Sequence, residues 1–130
     1  MPRYALRRLN GSRVYACRVC KTHLGFSEDC ISRGFRGSKG PAFLFSDVVN
    51  VTPGKVQREE TFTTGRHVVV DVFCARCNML LGWRYVKCYE VSQRYKVNKT
   101  ILDRVSLTRV GDWRLAGGGD DDDDDEDDDV

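Results

Sequence analysis

Cys17-Arg-Val-Cys20 and Cys74-Ala-Arg-Cys77 are the stretches of this chain whose residue types and spacing suit metal chemistry. Two thiolates three positions apart turn toward one ion at about 2.3 Å without straining the backbone, and a closed tetrahedral zinc site takes four ligands. Each pair supplies half of such a site, so Cys17, Cys20, Cys74 and Cys77 are the expected ligands of one structural Zn2+. With four sulfurs bound, no position stays open for water, which points to a structural metal rather than a catalytic one. Four thiolates also suit a single iron ion, so both metals stay open here. The alternative is two unrelated thiol pairs, but a redox C-x-x-C asks for a βαβ setting and none is visible. The 53 residues between the pairs exceed the usual zinc-ribbon gap. A whole sheet is therefore expected between the knuckles, and the metal would pin the start of the chain to its middle.

The remaining chemistry-bearing residues are less specific. Cys30 and Cys88 read as small buried or half-buried thiols; a catalytic thiol would want a neighbouring His, and neither has one. His23 and His67 read as structural or surface residues. Trp83 and Tyr85 flank Arg84, so on a strand their rings share one side. They read either as core or as one wall of an aromatic pocket for a ligand or a peptide side chain, with Phe43 and Phe45 as a second wall.

The elements that position these residues are short and β-like, and no stretch holds a helical period for three turns. Arg13–Ala16 leads into the first knuckle, Lys21–Phe26 returns from it, and Ser27-Glu28-Asp29 turns. Residues 33–41, with three glycines, a proline and three cations, read as a flexible basic loop suited to an acidic partner. Ala42–Phe45 begins a strand that Val48–Val51 continues, and Pro53-Gly54 marks a turn. Glu60–Thr64 is β-prone, with Gly65-Arg66 as a turn or bulge. Val68–Phe73, the most apolar strand, runs into the second knuckle, and Leu81–Tyr85 leaves it. Glu90–Lys96 suits one helical turn, and Thr100–Val105 closes the sheet. Both knuckles follow a strand and precede a Leu-Gly step (Leu24-Gly25, Leu81-Gly82), which hints at two related halves sharing one metal.

A chain of 130 residues that is 41% hydrophobic builds one small domain that a metal would help stabilise. No apolar run reaches 18 residues, so no membrane span is expected, and the basic start lacks the apolar core of a secretory signal. Thiols or metal ligands in the nucleus or cytoplasm are then expected rather than a disulfide framework. The net charge of +2 hides an asymmetry. All 21 Lys and Arg precede Gly117, whereas ten of the 19 acidic residues lie in 120–129, leaving +12 on residues 1–119 and −10 on the tail. The expected layout is a loose basic arm over 1–12, a domain over 13–110 and a disordered Gly/Asp-rich tail over 111–130. The basic face makes nucleic acid or another polyanion an alternative partner, without a recognition motif behind it.

From Arg13 to Val110 the chain resembles the Yippee (yippee-like) family. The family pattern is C-x2-C, 19 residues, Gly, three, Leu, five, Asn, a later Gly, eight, C-x2-C, four, Gly-Trp-Lys-Tyr. It falls here on Cys17, Cys20, Gly40, Leu44, Asn50, Gly65, Cys74, Cys77 and Gly82-Trp83-Arg84-Tyr85, with Lys96 and Asp103 at the downstream Lys and Glu positions. The departures are an Asn50–Gly65 gap longer by one, Arg84 for Lys, and Asp103 for Glu. The resemblance implies a β-tent of two antiparallel sheets pinned where they meet by zinc, as in the Mis18 proteins, the drug-binding domain of cereblon and methionine-R-sulfoxide reductases. It also implies a nuclear or cytoplasmic adaptor in a protein complex, with cell division and ubiquitin ligation among its settings, and no established enzymatic activity. Of the cereblon-type ligand cage, Trp83 is present, but Thr61–Phe73 holds no Trp. Cys88 in Val-Lys-Cys-Tyr-Glu does not match the reductases' catalytic setting.

Overall fold

The computed structural model describes residues 6–11 and 13–113. Among the described residues nine strands follow in order: β1 Arg13–Cys17, β2 His23–Phe26, β3 Cys30–Gly37, β4 Gly40–Phe45, β5 Val51–Phe62, β6 Gly65–Cys74, β7 Leu80–Cys88, β8 Thr100–Asp103 and β9 Leu107–Gly111. Short 3-10 turns at Ser27–Asp29, Val91–Lys96 and Arg104–Ser106 join some of them. The strands form two sheets, one ordered β2-β1-β9 and one ordered β3-β4-β8-β7-β6-β5, with antiparallel pairings throughout.

The large sheet carries apolar side chains on both faces, and its register sorts them. Phe43 pairs with Leu102 and Leu102 with Gly82, while Leu44 pairs with Ile101 and Ile101 with Trp83. Because side chains alternate along a strand, these two rows point to opposite faces. The first face joins Phe43, Phe45, Leu81 and Leu102 to Tyr15, Leu24, Cys17 and Cys74, making the core between the sheets. The second gathers Ala42, Leu44, Val69, Tyr85, Cys88 and Ile101, with Phe35, Phe62 and Trp83 packed around them.

Several expectations are corrected. Residues 33–41 are not a loop: β3 runs to Gly37 and pairs with β4 as far as Gly37↔Gly40. Gly34 lies at one of the two register shifts of this edge strand, and its cations keep that edge from pairing further. Pro53-Gly54 is not a turn but lies within β5, at a register shift between Pro53 and Gln57 on the opposite edge, where a missing N–H does no harm. The strand at Thr100 ends at Asp103 and sits in the middle of the sheet rather than closing it. β9, which the sequence does not signal, completes the small sheet.

The ends also differ from the sequence reading. In the expected loose arm, Leu9 is buried, its N–H donates to His23 Nδ1 at 2.9 Å, and Arg7 exchanges two hydrogen bonds with the Asn50 amide. Past Val110, Trp113 packs on Tyr15 at 5.0 Å and under the Arg109 guanidinium at 4.6 Å. The acidic tail beyond it lies outside the described residues.

Candidate metal centre and aromatic cavity

Each knuckle is built by the same backbone device. Cys17 N–H donates to Thr22 O and Lys21 N–H to Cys17 O, and the second knuckle repeats this with Cys74 to Met79 and Asn78 to Cys74, all at 2.8–2.9 Å. Lys21 and Asn78 both take φ 65°, the left-handed turn that reverses the chain after the second cysteine. The sequence hint of two related halves therefore has a physical counterpart: two turns with the same hydrogen bonds and the same left-handed residue, one at the end of β1 and one at the end of β6.

The four Sγ atoms lie within 4.8 Å of one another, with Cys17–Cys77 and Cys20–Cys74 each at 3.6 Å. Sulfurs at the corners of a zinc tetrahedron stand about 3.8 Å apart, given a 2.3 Å bond. The donor set and its spacing fit one Zn2+. Burial pushes the Cys17 thiol up to about 12 and raises Cys74. Burial acts upward on Cys20 as well, but the Thr22 hydroxyl at 3.0 Å and its backbone N–H prevail and bring it down to about 6. Four clustered thiols, two of them buried, cannot all ionise side by side without a cation between them, and a dication supplies that charge.

Asn50 braces the two knuckles. Its side-chain N–H2 donates to His23 O at 2.7 Å and to Arg7 O at 2.8 Å, while its backbone carbonyl accepts from Ala75 N–H at 2.9 Å inside the second knuckle. It holds φ 60°, a conformation Asn tolerates better than most residues. Asn50→Ala is expected to lower stability by about 2–3 kcal/mol, losing the side-chain hydrogen bonds and straining the backbone. Asn50→Gly, which loses the same side-chain hydrogen bonds but takes this backbone conformation without strain, should fall between the wild type and Asn50→Ala in a denaturant titration.

On the other face of the large sheet lies an open cavity of about 740 Å³. Trp83 and Tyr85 do share one side, as alternation requires, with ring centroids 6.5 Å apart. Phe43 and Phe45 do not form their second wall. They are in the core beside Tyr15, on the opposite face. The second wall comes instead from Phe62, stacked on Trp83 at 6.0 Å, and from Phe35 and Tyr95. Lys96, only 2% exposed, closes the cavity from below, its Nζ 5.1 Å from the Phe35 ring centre and 5.3 Å from that of Tyr85. Burial lowers the pKa of this ammonium. Trp83 Nε1, Asp103 Oδ1 and His67 Nε2 are buried without hydrogen-bond partners.

The thiols outside the metal centre stay unactivated. Burial raises both Cys30 and Cys88. Cys88 does gain a histidine that the sequence did not show, since His67 is its cross-strand partner, but His67 gives its Nδ1 hydrogen bond to Gly65 O. Sequence reasoning also missed Lys96 as a site residue, although its place in the family pattern was a signal.

Two β-sheets joined by paired knuckles around one thiolate cluster define a structural zinc domain of the mainly β class. The family described as "Yippee zinc-binding/DNA-binding /Mis18, centromere assembly" matches residues 13–113, and the chain belongs to it. A yippee-like protein of Solanum tuberosum is 43% identical over 96 residues, covering 74% of each chain. One from Arabidopsis thaliana is 41% identical over 103 residues, covering 79% of this chain and 95% of its own. Yippee-like 3 of Oryzias latipes is 41% identical over 101 residues, 78% of this chain and 84% of its own. The crystal structure of a Mis18 "Yippee-like" domain superposes with a TM-score of 0.62 at 19% identity, over 77% of this chain and 96% of that one, and so shares the fold.

Proposed function

We propose that the chain is a non-catalytic docking module: an adaptor or regulatory subunit of a nuclear or cytoplasmic protein complex, held in shape by its zinc. The docking domain is residues 13–110, between the basic arm and the acidic tail. The observation that carries this reading is the aromatic cavity on the sheet face that the small sheet leaves uncovered, with Trp83 and Tyr85 in its wall. A closed four-thiolate site offers no coordination position to a substrate, and neither remaining cysteine has a lowered pKa, which speaks against catalysis at either place. The relation to a family described with centromere assembly is consistent with work inside an assembly.

Trp83→Ala tests the reading. In native-cell pull-downs at physiological salt, compared by quantitative mass spectrometry, the wild type should retain a near-stoichiometric protein that the variant loses while keeping its zinc. An empty bait, or a partner indifferent to Trp83, would contradict it.

A second reading, polyanion or nucleic-acid binding, has its own observation. Arg18, Arg104 and Arg109 line a groove of about 540 Å³ beside Tyr15 and Phe43. Binding of this kind would weaken steeply with salt, because counterion release dominates it.

A further inference from the structure

The aromatic cavity holds a cation of its own. Lys96 Nζ stands over the rings of Phe35, Tyr85 and Tyr95, at 5.1, 5.3 and 6.0 Å from their centres. Three rings around an ammonium are the arrangement by which proteins read cationic ligands, but here the protein's own lysine has taken the place. A cationic guest would meet both this charge and that of Arg36 at the rim, and no Asp or Glu lines the cavity.

What the lysine lacks is an anion. An ammonium has three N–H donors, and among the described residues its hydrogen-bond partner is Thr64 Oγ1 at 3.1 Å, a single neutral hydroxyl. Its carrier residue is almost wholly buried, and a buried charge without a counter-charge is costly. A second donor, Trp83 Nε1, is buried without a partner in the same wall. The Phe62 and Trp83 rings lie nearly parallel, 25° apart, and both line the cavity.

We propose that this cavity binds a carboxylate attached to a flat apolar group, presented by a partner protein as a chain terminus or acidic side chain next to an aromatic residue. The carboxylate would take the remaining N–H groups of Lys96, and the apolar group would lie against Trp83 and Phe62. One buried cation matches one negative charge, which favours a carboxylate over a phosphate dianion. The proposal rests on the docking reading above and specifies its ligand.

The test uses the full zinc-loaded chain and follows the Trp83 indole N–H resonance, assigned with Trp83→Phe. N-acetyl-phenylalanine should shift that resonance and bind at least about tenfold more tightly than N-acetyl-phenylalanine amide, the difference expected for one charge-assisted hydrogen bond pair. Lys96→Met should keep its zinc and lose the preference. N-acetyl-glutamyl-phenylalanine amide, with only a side-chain carboxylate, separates an acidic side chain from a chain terminus: whichever of the two binds more tightly names the source. A trimethyllysine amide should leave the resonance unmoved. Equal affinity for acid and amide, no shift with the acid, or tighter binding of the trimethyllysine would overturn the proposal. Tighter binding of adenosine monophosphate would overturn it in favour of a nucleotide site. If Lys96→Met does not fold, the acid–amide comparison on the native chain decides alone. A partner lost in Trp83→Ala without acid preference would leave docking standing and remove the carboxylate; acid preference without any protein partner would do the reverse.

Discussion

Cys74→Ser is expected to leave the chain without zinc and without a fold. The two sheets meet at the thiolate cluster: Cys17 and Cys20 come from the β1 end of the small sheet, Cys74 and Cys77 from the β6 end of the large one. Structural zinc in such sites contributes on the order of 10 kcal/mol of apparent binding free energy at neutral pH, and that free energy is folding free energy. The net stability of an ordinary domain is only about 5–15 kcal/mol. Removing one ligand therefore takes away a contribution as large as the whole margin. It also leaves three sulfurs where a closed site takes four, with the ionisation of Cys17 opposed by burial, so the remaining ligands hold a metal poorly. Circular dichroism should show no cooperative thermal transition for Cys74→Ser, and excess chelator should produce the same loss in the wild type. Cys30→Ser, at a cysteine outside the cluster, should keep both metal and transition. A Cys74→Ser protein that melts at the wild-type temperature would show that the sheets hold together without the metal.

Gly82→Ala is expected to be almost as damaging, for a steric reason. A Cβ built at Gly82 would overlap the carbonyl oxygen of Ile101 outright and sit 2.8 Å from its carbonyl carbon. The obstacle is backbone of the neighbouring strand β8, not the end of a side chain, so relief means separating β7 from β8 at the centre of the large sheet. Overpacking a core ordinarily costs about 1–3 kcal/mol and more where nothing can yield. Here the expected loss is at least about 3 kcal/mol, or more than about 10 °C in melting temperature for a domain of this size. Thermal scans of the zinc-loaded variant measure it. A drop of only a degree or two would mean that the strands part more easily than their close approach implies. Gly25, at the equivalent step after the first knuckle, has its nearest neighbour at 3.4 Å and should accept Ala far better.

The metal centre could be read from the sequence because a knuckle is a local object: two cysteines three apart, then a chain reversal, need no knowledge of the rest of the fold. The side shared by Trp83 and Tyr85 was equally local, following from alternation along one strand. The second wall of the cavity was not. Whether Phe43 or Leu44 joins Trp83 depends on the register of β4 on β8 and of β8 on β7, strands far apart in sequence. Lys96 was hidden for a related reason. In a short helical turn with Arg94 and Lys99 nearby it reads as one more surface cation, and only the folded chain sets it beneath Tyr85. β3 reads as a loop in the sequence because glycine and arginine are poor strand formers, yet an edge strand tolerates both. β9, five residues reading Leu-Thr-Arg-Val-Gly, is too short and too weakly patterned to stand out.

The most direct test of the zinc-stapled fold is to count the metal and its ligands together, by elemental analysis of the purified chain and by the absorption spectrum after exchange to cobalt. One zinc per chain, and a tetrahedral cobalt spectrum with the sulfur charge-transfer intensity of four thiolates, lost in Cys17→Ser, is the predicted result. A folded chain that purifies without metal, carries iron instead, or gives the spectrum of fewer than four thiolates would contradict it.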